Sequence, residues 1–315
     1  MEAIGQTRLT RAVNGPILAI DIGGTHLRAA IFSPHMQIRR HAPTLAQEGA
    51  DAVMSRLRQL VDEALENAGE PIVGVAVASA GQVDPQTGVV VDATDNLPGF
   101  RGLDLYSRIG QWFAPAPPPI LIENDVNAAL AAEATVYPDL SSIIVLALGT
   151  GVGGGLMIER RIIHGRHYFA GELGHMVLHP YGRPCNCGQH GCLEQYVSGP
   201  GLLLTTREHY PAAQTTHELF EALGQGKTWA SDALDRFSED LALALTSLVN
   251  LVDPDLIILA GGLATTHAHW EDRLARSAAQ LSRKPIPLAY ARFGDDSPLI
   301  GAVELFRQRY AVPFS

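Results

Sequence analysis

The sequence predicts an α/β protein made of two lobes, and three observations support this fold class. Residues 16–32 and residues 141–158 each read as two apolar strands joined by a glycine-rich turn, so a similar hairpin occurs in both halves of the chain. Helical segments with one apolar face separate these hairpins from further apolar strands. A chain of 315 residues is long for one domain and comfortable for two.

The first half of the chain contains a hairpin, a helix and a third strand. The hairpin PILAIDIGGTHLRAAIF, residues 16–32, carries an acidic residue at its tip. Residues 51–69 form the predicted helix, which Gly69 and Pro71 end. Five apolar side chains fall on one face of that helix at helical spacing: Val53, Leu57, Leu60, Val61 and Leu65. Residues 72–81, IVGVAVASAG, then read as an apolar strand that ends in small residues.

A proline-rich segment, APAPPPI at residues 114–120, is the predicted boundary between the lobes. Such a segment is stiff and cannot continue a helix. We therefore expect an N-terminal lobe at residues 1–118 and a C-terminal lobe at residues 119–315. A cleft between two lobes is a preferred position for a ligand.

The second half repeats the order of the first. Its hairpin is SSIIVLALGTGVGGGLMI, residues 141–158, and a long, largely buried helix is predicted at residues 233–255 before Pro254. An apolar strand, LIILAGGL, follows at residues 256–263. An amphipathic helix at residues 297–311 closes the chain and is a candidate for packing back on the N-terminal lobe. The repeated order indicates an internal duplication.

Composition and charge describe an ordinary globular protein and exclude some classes of function. Hydrophobic residues make up 46% of the chain and charged residues 18%. The net charge of −10, from 23 basic and 33 acidic residues, gives no electrostatic footprint for nucleic acid or an anionic membrane. The first sixteen residues contain no apolar signal segment, and later apolar runs are broken by glycine or too short to span a bilayer. The sequence therefore predicts a cytoplasmic protein.

All three cysteines of the chain lie in one loop, CNCGQHGCLE at residues 185–194. In a reducing compartment an odd number of cysteines argues against disulfides, and the spacing of Cys185, Cys187 and Cys192 favours a zinc site. Zinc prefers four tetrahedral sulfur or nitrogen ligands, so an imidazole is expected to complete the set. Three candidates lie near: His175, His179 and His190. Buried thiols with no ligand role are the competing interpretation, which the polar, glycine-containing loop disfavours.

The glycine turns of both hairpins suit the binding of phosphate. Glycines let backbone N–H groups approach an anion closely, and an acid at the strand end can hold Mg²⁺ directly or through water. A plain tight turn would explain one of them equally well, but two turns at corresponding positions favour a shared role. A third glycine pair, after the second apolar strand, is also explained by a simple strand-to-helix turn. The candidate nucleotide contacts are Asp21, Gly23, Gly24, Thr25, Gly149, Thr150, Gly151, Gly261 and Gly262.

Two familiar nucleotide motifs do not fit these turns. Neither turn matches the phosphate loop GxxxxGK followed by Ser or Thr. Residues 149–154, GTGVGG, match the letters of the dinucleotide pattern GxGxxG. That pattern opens a helix, whereas the apolar run here continues as a strand, so the dinucleotide interpretation is disfavoured.

Four motifs together resemble the ROK family of sugar kinases and sugar-responsive repressors. They are DIGGT at residues 21–25, LGTGVGGG at 148–155, GELGH at 171–175 and CNCGQHGCLE at 185–194. The resemblance covers the chain from residue 16 onward. It implies the actin and hexokinase type of fold, with two RNase H-like lobes around an ATP cleft. It also implies phosphorylation of a hexose by ATP with Mg²⁺, usually on the 6-hydroxyl, and a homodimer.

The resemblance assigns chemical roles within the segment IENDVNAA. Asp125 corresponds to the general base that takes the proton from the attacking sugar hydroxyl, and Asn124 corresponds to a residue that hydrogen-bonds the sugar. Glu123 is expected to be a bystander. From the residues alone, an Asn-Asp pair after a strand is also a common helix cap.

By the same resemblance, Glu172, His175 and Glu194 correspond to ligands of the sugar hydroxyls. Groups left unpaired by the wrong epimer would penalise its binding. His175 also corresponds to the fourth zinc ligand, beside the three cysteines. Four protein ligands leave no open position, so the zinc is expected to be structural and to fix a loop whose two ends carry sugar contacts. His179 and His190 are then exposed loop residues.

The resemblance also places Ala80, Gly81 and Thr94 in the wall of the sugar pocket. Gln82 stands where many glucokinases have proline and several N-acetylmannosamine kinases have arginine, so neither assignment follows. Three segments are more similar to those of bacterial allose kinases: THLR after DIGG, NLP at residues 96–98 and RKPIP at residues 283–287. A glucose-type sugar is the first expectation, with allose or N-acetylmannosamine next.

Two other functions stay open at this point. Many members of the family are repressors with an N-terminal helix-turn-helix of roughly 60 to 80 residues, whereas only about fifteen residues precede the first strand here. The acidic net charge agrees with the absence of such a module, and Asp21, Asn124 and Asp125 favour the kinase. A sugar-binding protein without turnover is the other alternative.

Overall fold

The chain forms two compact units. The computed structural model describes residues 10–11, 15–94, 97–310 and 312–313. Unit 1 consists of Met1–Ala132 together with Asp296–Ser315, and unit 2 consists of Glu133–Asp295. This division falls later in the chain than the proline-rich segment at residues 114–120, and unit 1 includes the last helix.

The described strands are numbered in chain order. They are β1 (Thr10–Arg11), β2 (Ile17–Ile22), β3 (His26–Phe32), β4 (Met36–Pro43), β5 (Gly74–Ser79), β6 (Gln82–Val83), β7 (Val90–Asp92), β8 (Ile120–Asn124), β9 (Ile143–Leu148), β10 (Val152–Ile158), β11 (Arg161–Ile162), β12 (Leu256–Ala260), β13 (Leu288–Tyr290) and β14 (Val312–Pro313). The two predicted hairpins are β2 with β3 and β9 with β10, and both are antiparallel pairs.

The described helices are numbered in the same way. They are α1 (Ala50–Leu65), α2 (Leu105–Gly110), α3 (Asp125–Ala134), α4 (Glu194–Val197), α5 (Gly199–His209), α6 (Thr216–Gly224), α7 (Thr228–Val252), α8 (Glu271–Leu281) and α9 (Ser297–Tyr310). Short 3₁₀ helices lie at Ala46–Glu48, Gln111–Phe113, Leu173–His175, Gly262–His269 and Gly294–Asp296. No helix among these described residues has both the length and the apolar character that crossing a membrane requires.

Local signals fix several helix ends. Asp104 caps α2 by accepting a hydrogen bond from the amide of Ser107 at 2.8 Å. Ser198 caps α5 in the same way, and its hydroxyl accepts from the amide of Gly201 at 3.0 Å. The long helix α7 ends where Asp253 adopts a left-handed conformation with φ 51°, just before a proline.

Unit 1 contains a five-stranded mixed sheet with the order β4-β3-β2-β5-β8. β2 pairs antiparallel with β3 and parallel with β5. β4 adds antiparallel to β3, and β8 adds parallel to β5. Two small antiparallel pairs, β1 with β14 and β6 with β7, accompany this sheet.

Unit 2 contains a five-stranded sheet with the order β11-β10-β9-β12-β13. β9 pairs antiparallel with β10 and parallel with β12, β11 adds antiparallel to β10, and β13 adds parallel to β12. Position by position, these strand directions repeat those of unit 1. The predicted α/β class is therefore confirmed, and the repeated order of strands that the sequence indicates is present in both sheets.

A helix covers each face of the sheet in unit 1. Successive residues of β2 point to opposite faces, so Leu18 and Ile20 pack toward α1 while Ile17 and Ala19 pack toward α9. The buried residues of α1 recur at helical spacing, as the sequence predicts: Val53, Met54, Leu57, Leu60, Val61 and Ala64. By the same alternation, Asp21 lies on the α9 face, at the end of β2.

The core of unit 2 lies between its sheet and α7. Ile257 and Leu259 of β12 pack in one cluster with a stripe of α7: Leu234, Phe237, Leu241, Leu245 and Leu248. The helix begins earlier than the predicted residue 233, because Ala230 is also buried in this core and extends the apolar face.

Candidate active site

The predicted residues of unit 1 gather at one edge of its sheet. β2, β5 and β8 run parallel, and Ser79 of β5 pairs with Ile22 of β2 and Asn124 of β8. The carboxyl ends of all three strands therefore meet at the same edge, where ligands of open α/β sheets usually bind. The predicted residues at or just beyond this edge are Asp21, Ala80, Gly81, Asn124 and Asp125.

The first glycine turn, residues 23–25, is held by Thr44. The amide of Gly23 donates to the carbonyl of His26 at 3.0 Å, and this bond closes the turn. Thr44 is fully buried; its hydroxyl donates to the carbonyl of Gly23 at 2.7 Å, and its amide donates to the carbonyl of Thr25 at 2.9 Å. Gly24 and Thr25 are exposed at the tip. The two hydrogen bonds from Thr44 thus fix the backbone of the turn, and its tip is accessible to an anion.

Asp21 and Arg28 form a buried ion pair across the first hairpin. Asp21 is 2% exposed, and its Oδ2 lies 2.6 Å from Nη1 of Arg28. The two residues face each other in the β2–β3 register. A carboxylate removed from water requires such a partner, so Arg28 stabilises the charge and fixes the direction of Asp21. Arg28 is not among the residues predicted from the sequence, although its position opposite Asp21 follows from the two strands of a hairpin with a short turn.

Asn124 is the N-cap of α3, and it also orients Asp125. Its Oδ1 accepts from the amides of Val126 and Asn127, both at 3.0 Å. Its Nδ2 donates to the carbonyl of Gly81 at 3.0 Å and to Oδ1 of Asp125 at 3.1 Å. The amide of Val126 also donates to Oδ1 of Asp125 at 2.9 Å. The helix-cap interpretation of this pair is therefore correct, and the cap places Asp125 at the first position of the helix.

Glu123 supports this turn from the interior. The residue is 5% exposed, and its Oε1 accepts from the amide of Asn124 at 2.9 Å and from Nδ2 of Asn127 at 3.1 Å. Expected to be a bystander, Glu123 instead holds the backbone that carries Asp125. In the sequence, Glu123 directly precedes the Asn-Asp pair and Asn127 follows four positions later.

Thr94 and Gln82 lie beside the small β6–β7 pair. Gln82 faces Asp92 in that pair, whose register is irregular. Thr94 is exposed, and its carbonyl accepts from the amide of Leu97 at 2.9 Å. Asn96, the first residue of the NLP segment compared with allose kinases, lies outside the described residues.

The second glycine turn, residues 149–151, joins β9 and β10 in unit 2. The amide of Gly149 donates to the carbonyl of Gly151 at 2.9 Å, and the amide of Gly199 donates to the carbonyl of Gly149 at 2.8 Å. Thr150 is exposed at the tip. The turn has the same place in the β9–β10 hairpin as residues 23–25 have in the first hairpin.

The third glycine pair lies beside this turn. Ala260, the last residue of β12, pairs with Ala147 of the parallel strand β9. Gly261 and Gly262 follow Ala260, and a 3₁₀ helix begins at Gly262. The turn at 149–151 and the glycine pair therefore share the carboxyl edge of the unit 2 sheet.

The GELGH segment, residues 171–175, lies against the glycine-rich strand β10. A Cβ atom added to Gly171 would lie 2.8 Å from the carbonyl oxygen of Gly154, and one added to Gly154 would overlap the carbonyl oxygen of Gly171. Two backbones can approach this closely only where both residues lack a side chain. The glycine at position 154 thus serves close packing of the GELGH segment on the strand.

His175 stands between the cysteines and Glu172. Its Nδ1 lies 3.7 Å from Sγ of Cys185, and its Nε2 lies 3.7 Å from Oε2 of Glu172. Both His175 and Glu172 are partly exposed. One ring nitrogen therefore faces the cysteine cluster while the other faces the carboxylate that is predicted to bind sugar.

The four predicted zinc ligands form one cluster. One ligand atom from each of His175, Cys185, Cys187 and Cys192 lies within 4.8 Å of all the others. Sγ of Cys187 and Sγ of Cys192 are 3.7 Å apart, and a tetrahedral zinc ion with Zn–S bonds of about 2.3 Å separates two sulfurs by roughly 3.8 Å. The geometry of these donors fits a tetrahedral zinc ion with four protein ligands.

The thiols of this cluster oppose one another's ionisation when no cation is bound. Burial, followed by hydrogen bonds from Cys187 and Cys185 and the charges of these neighbours, raises the pKa of the Cys192 thiol to about 12. A bound metal reverses this effect, because thiolate is the form that binds it, and metal binding therefore releases protons.

The other two histidines near the loop do not join the cluster. Nε2 of His179 lies 2.7 Å from Oδ1 of Asp240, a buried residue of α7. His179 was expected to be an exposed loop residue; it is instead partly buried and anchors the start of the cysteine loop to α7. His190 is exposed, as expected.

Glu194 follows the last cysteine and begins α4. Its Oε2 accepts a hydrogen bond from the amide of Val152 at 2.9 Å. Val152 is the first residue of β10, directly after the second glycine turn. The side chain predicted to contact sugar therefore also contacts the turn predicted to bind phosphate.

Known proteins resemble this chain over most of its length. The model of the ROK family matches residues 17–309. The N-acetyl-D-glucosamine kinase of Escherichia coli (strain K12) is 32% identical over 311 residues, which cover 90% of this chain and 97% of that protein.

Solved structures give the same result for the fold. A ROK hexokinase from Thermus thermophilus matches with a TM-score of 0.77 and 29% identity, covering 91% of this chain and 96% of that chain. A ROK family glucokinase from Streptomyces griseus, in complex with glucose and AMPPNP, matches with a TM-score of 0.80 and 26% identity, covering 93% and 100% of the two chains. These likenesses confirm the fold of the actin and hexokinase type.

Proposed function

Since the chain belongs to the ROK family, we propose that it is an ATP-dependent sugar kinase that phosphorylates a hexose or an N-acetylhexosamine on its 6-hydroxyl. The observation that carries this proposal is the placement of Asp125. The carboxylate is held at the first position of α3 by Asn124, at the same sheet edge as Asp21 and its glycine turn. The names of the relatives, N-acetyl-D-glucosamine kinase, hexokinase and glucokinase, support the same class of reaction.

Asp125 is the proposed general base. Two donors, the amide of Val126 and Nδ2 of Asn124, fix its Oδ1 and so the plane of the carboxylate. In phosphoryl transfer the protein mainly positions the reactants and stabilises charge, so one aligned carboxylate is sufficient to accept the hydroxyl proton. The attacking oxygen then takes the γ-phosphoryl group, and ADP leaves.

The glycine turns are the proposed phosphate sites, with Asp21 as the acid for Mg²⁺. The tips of the two turns, which are exposed at Gly24, Thr25 and Thr150, carry backbone N–H groups that suit phosphate oxygens. The charge of Asp21 and its direction are set by Arg28. Bound Mg²⁺ would neutralise charge that develops on the phosphoryl oxygens. Gly261 and Gly262 are proposed to contact the nucleotide beside the second turn.

The proposed sugar contacts are the residues that the family resemblance assigns to the sugar. In unit 1 these are Ala80, Gly81, Thr94 and Asn124, and in unit 2 they are Glu172, His175 and Glu194. Carboxylates and imidazoles pair well with vicinal hydroxyls, and an epimer that leaves one of them unpaired binds less well. Sugars of the glucose configuration, glucose or its 2-acetamido derivative, are the first candidates, with allose and N-acetylmannosamine next.

The proposed zinc ion is structural. Three cysteines and His175 supply four ligands, which leaves no position for a substrate. The ion would hold the segment between His175 and Glu194, which are both proposed to contact sugar. Zinc would thus act on substrate binding through the placement of these side chains.

Release of ADP from MgATP tests the proposal. We would measure it with glucose, mannose, allose, fructose, N-acetylglucosamine and N-acetylmannosamine, and with no sugar as the blank. The expected result is sugar-dependent release with one preferred substrate. Release that never exceeds the blank, from folded protein that binds a sugar of this panel, would contradict the kinase and favour a sugar-binding protein without turnover.

A further inference from the structure

The carboxylate of Glu194 lies on the backbone of the second glycine turn. Its Oε2 accepts from the amide of Val152 at 2.9 Å, although 42 positions separate the two residues in the chain. A Cβ atom added to Gly151 would lie 2.6 Å from the same oxygen, closer than such contacts allow. The absence of a side chain at Gly151 therefore makes room for the Glu194 carboxylate.

A second contact fixes the other end of this turn. The amide of Gly199, at the start of α5, donates to the carbonyl of Gly149 at 2.8 Å. Glu194 and Gly199 thus hold the turn at both ends, and the bond from the amide of Gly149 to the carbonyl of Gly151 closes it. Within the described part of the chain, the amides of Thr150 and Gly151 donate no hydrogen bond. These two adjacent amides remain for a ligand.

The position of Glu194 is set by the cysteine loop. Cys192, two residues earlier, belongs to the cluster of four side chains that are proposed to bind zinc. Leu193 is fully buried, and its amide donates to the carbonyl of Met176, next to His175, at 2.8 Å. The cluster therefore fixes the backbone from which the Glu194 side chain reaches the turn.

We propose that Glu194 is a positioning residue for the nucleotide phosphates, which acts by holding the 149–152 backbone in the form that binds them. This inference rests on the proposed function, in which the second glycine turn binds phosphate. It adds a role to Glu194, which the family resemblance assigns to the sugar alone. Because Oε2 is bonded to Val152, Oε1 is the atom suited to a sugar hydroxyl, and one side chain can serve both substrates.

The test is the affinity for MgADP in the absence of sugar, measured by isothermal titration calorimetry on zinc-loaded protein. Glu194→Ala removes the acceptor and is expected to weaken MgADP binding about tenfold, the effect of losing one charge-assisted hydrogen bond. Glu194→Asp keeps the charge but withdraws the carboxylate by one methylene, so it is expected to weaken binding similarly. Glu194→Gln keeps an acceptor oxygen at the right distance and is expected to stay within about threefold of wild type.

Glu172→Ala is the matched control, because Glu172 is the other carboxylate of unit 2 predicted to bind sugar. It should lose sugar affinity and keep wild-type affinity for MgADP. Circular dichroism, Tm and zinc content would establish that each variant is folded and loaded; if Glu194→Ala fails to fold, the Asp and Gln variants carry the comparison.

Three results would overturn the inference or its basis. Wild-type affinity for MgADP in both Glu194→Ala and Glu194→Asp would make Glu194 a sugar contact only. Equal losses in the Asp and Gln variants and in Glu172→Ala would indicate a general disturbance of unit 2. Wild-type protein that binds no MgADP would refute the proposed function, and the inference would fall with it.

Discussion

Glu123 and Arg28 are charged side chains, and each of them stabilises the position of an acidic residue that is proposed to act on the substrates. Arg28 pairs with Asp21 across a hairpin, and Glu123 bonds the backbone and side chain around Asp125. Both partnerships depend on burial, because a charge removed from water is kept only where hydrogen bonds or an opposite charge compensate it. The acids proposed to act on substrate are therefore fixed before any substrate binds.

Glu123→Ala is expected to lower kcat about tenfold, because it leaves the amide of Asn124 and Nδ2 of Asn127 unpaired and lets Asp125 shift. The stoichiometry of sugar binding, measured by calorimetry, should stay that of wild type, which separates misplacement of the base from loss of folded protein. Glu63→Ala, on the exposed face of α1, is the control and should change neither quantity. A kcat equal to that of wild type would return Glu123 to the role of a bystander.

Gly154→Ala is expected to reduce the free energy of unfolding by about 2 kcal/mol, since the new methyl group would overlap the carbonyl of Gly171. Thermal unfolding followed by circular dichroism would show this as a lower Tm. Gly224→Ala, at the end of α6 where an added Cβ meets nothing within 4 Å, should leave Tm unchanged or slightly higher. Equal Tm values for Gly154→Ala and wild type would refute the close-packing explanation of this glycine.

Strands, helices and turns were predictable from the sequence, whereas contacts between distant elements were not. The alternation in β2 and the helical spacing in α1 are local patterns, and the structure has both elements within a few residues of the expected bounds. The hydrogen bond from Val152 to Glu194 spans 42 positions, and the contact between His179 and Asp240 spans 61. Local sequence patterns do not predict contacts between residues this far apart in the chain. For the same reason, the sequence located the candidate site residues but missed what holds them.

The cysteine loop carries three of the four side chains that are proposed to bind zinc. Cys187→Ser is expected to lower the zinc content from one ion per chain and to lower Tm, because an exposed hydroxyl replaces one of the four ligands. Elemental analysis and thermal unfolding on protein purified without chelators would measure both. Asn186→Ser, an exposed change between two ligands, should keep the metal. Wild-type protein without zinc would contradict the proposed site.

The whole chain uses one strand order twice. In each unit a hairpin is followed by two parallel strands, and a glycine turn follows the first strand of the hairpin, at residues 23–25 and at residues 149–151. The chemistry then differs between the units. Unit 1 carries the Asp21–Arg28 ion pair and Asp125 with its supports Asn124 and Glu123, and unit 2 carries the cysteine cluster together with Glu172 and Glu194. The two units thus share a strand order and differ in the side chains proposed to act on the substrates.

The proposed transfer of phosphate from ATP to a sugar, with Asp125 as the base, is tested by comparing wild type with Asp125→Asn. ADP release with MgATP and the preferred sugar would be measured for wild type and Asp125→Asn, with sugar affinity measured by calorimetry on the same preparations. We expect kcat to be lower by about 10³-fold in the variant, within the usual contribution of a general base, and the sugar Kd to stay within about threefold of wild type. A variant that turns over at the wild-type rate would contradict the assignment of Asp125 and the mechanism built on it.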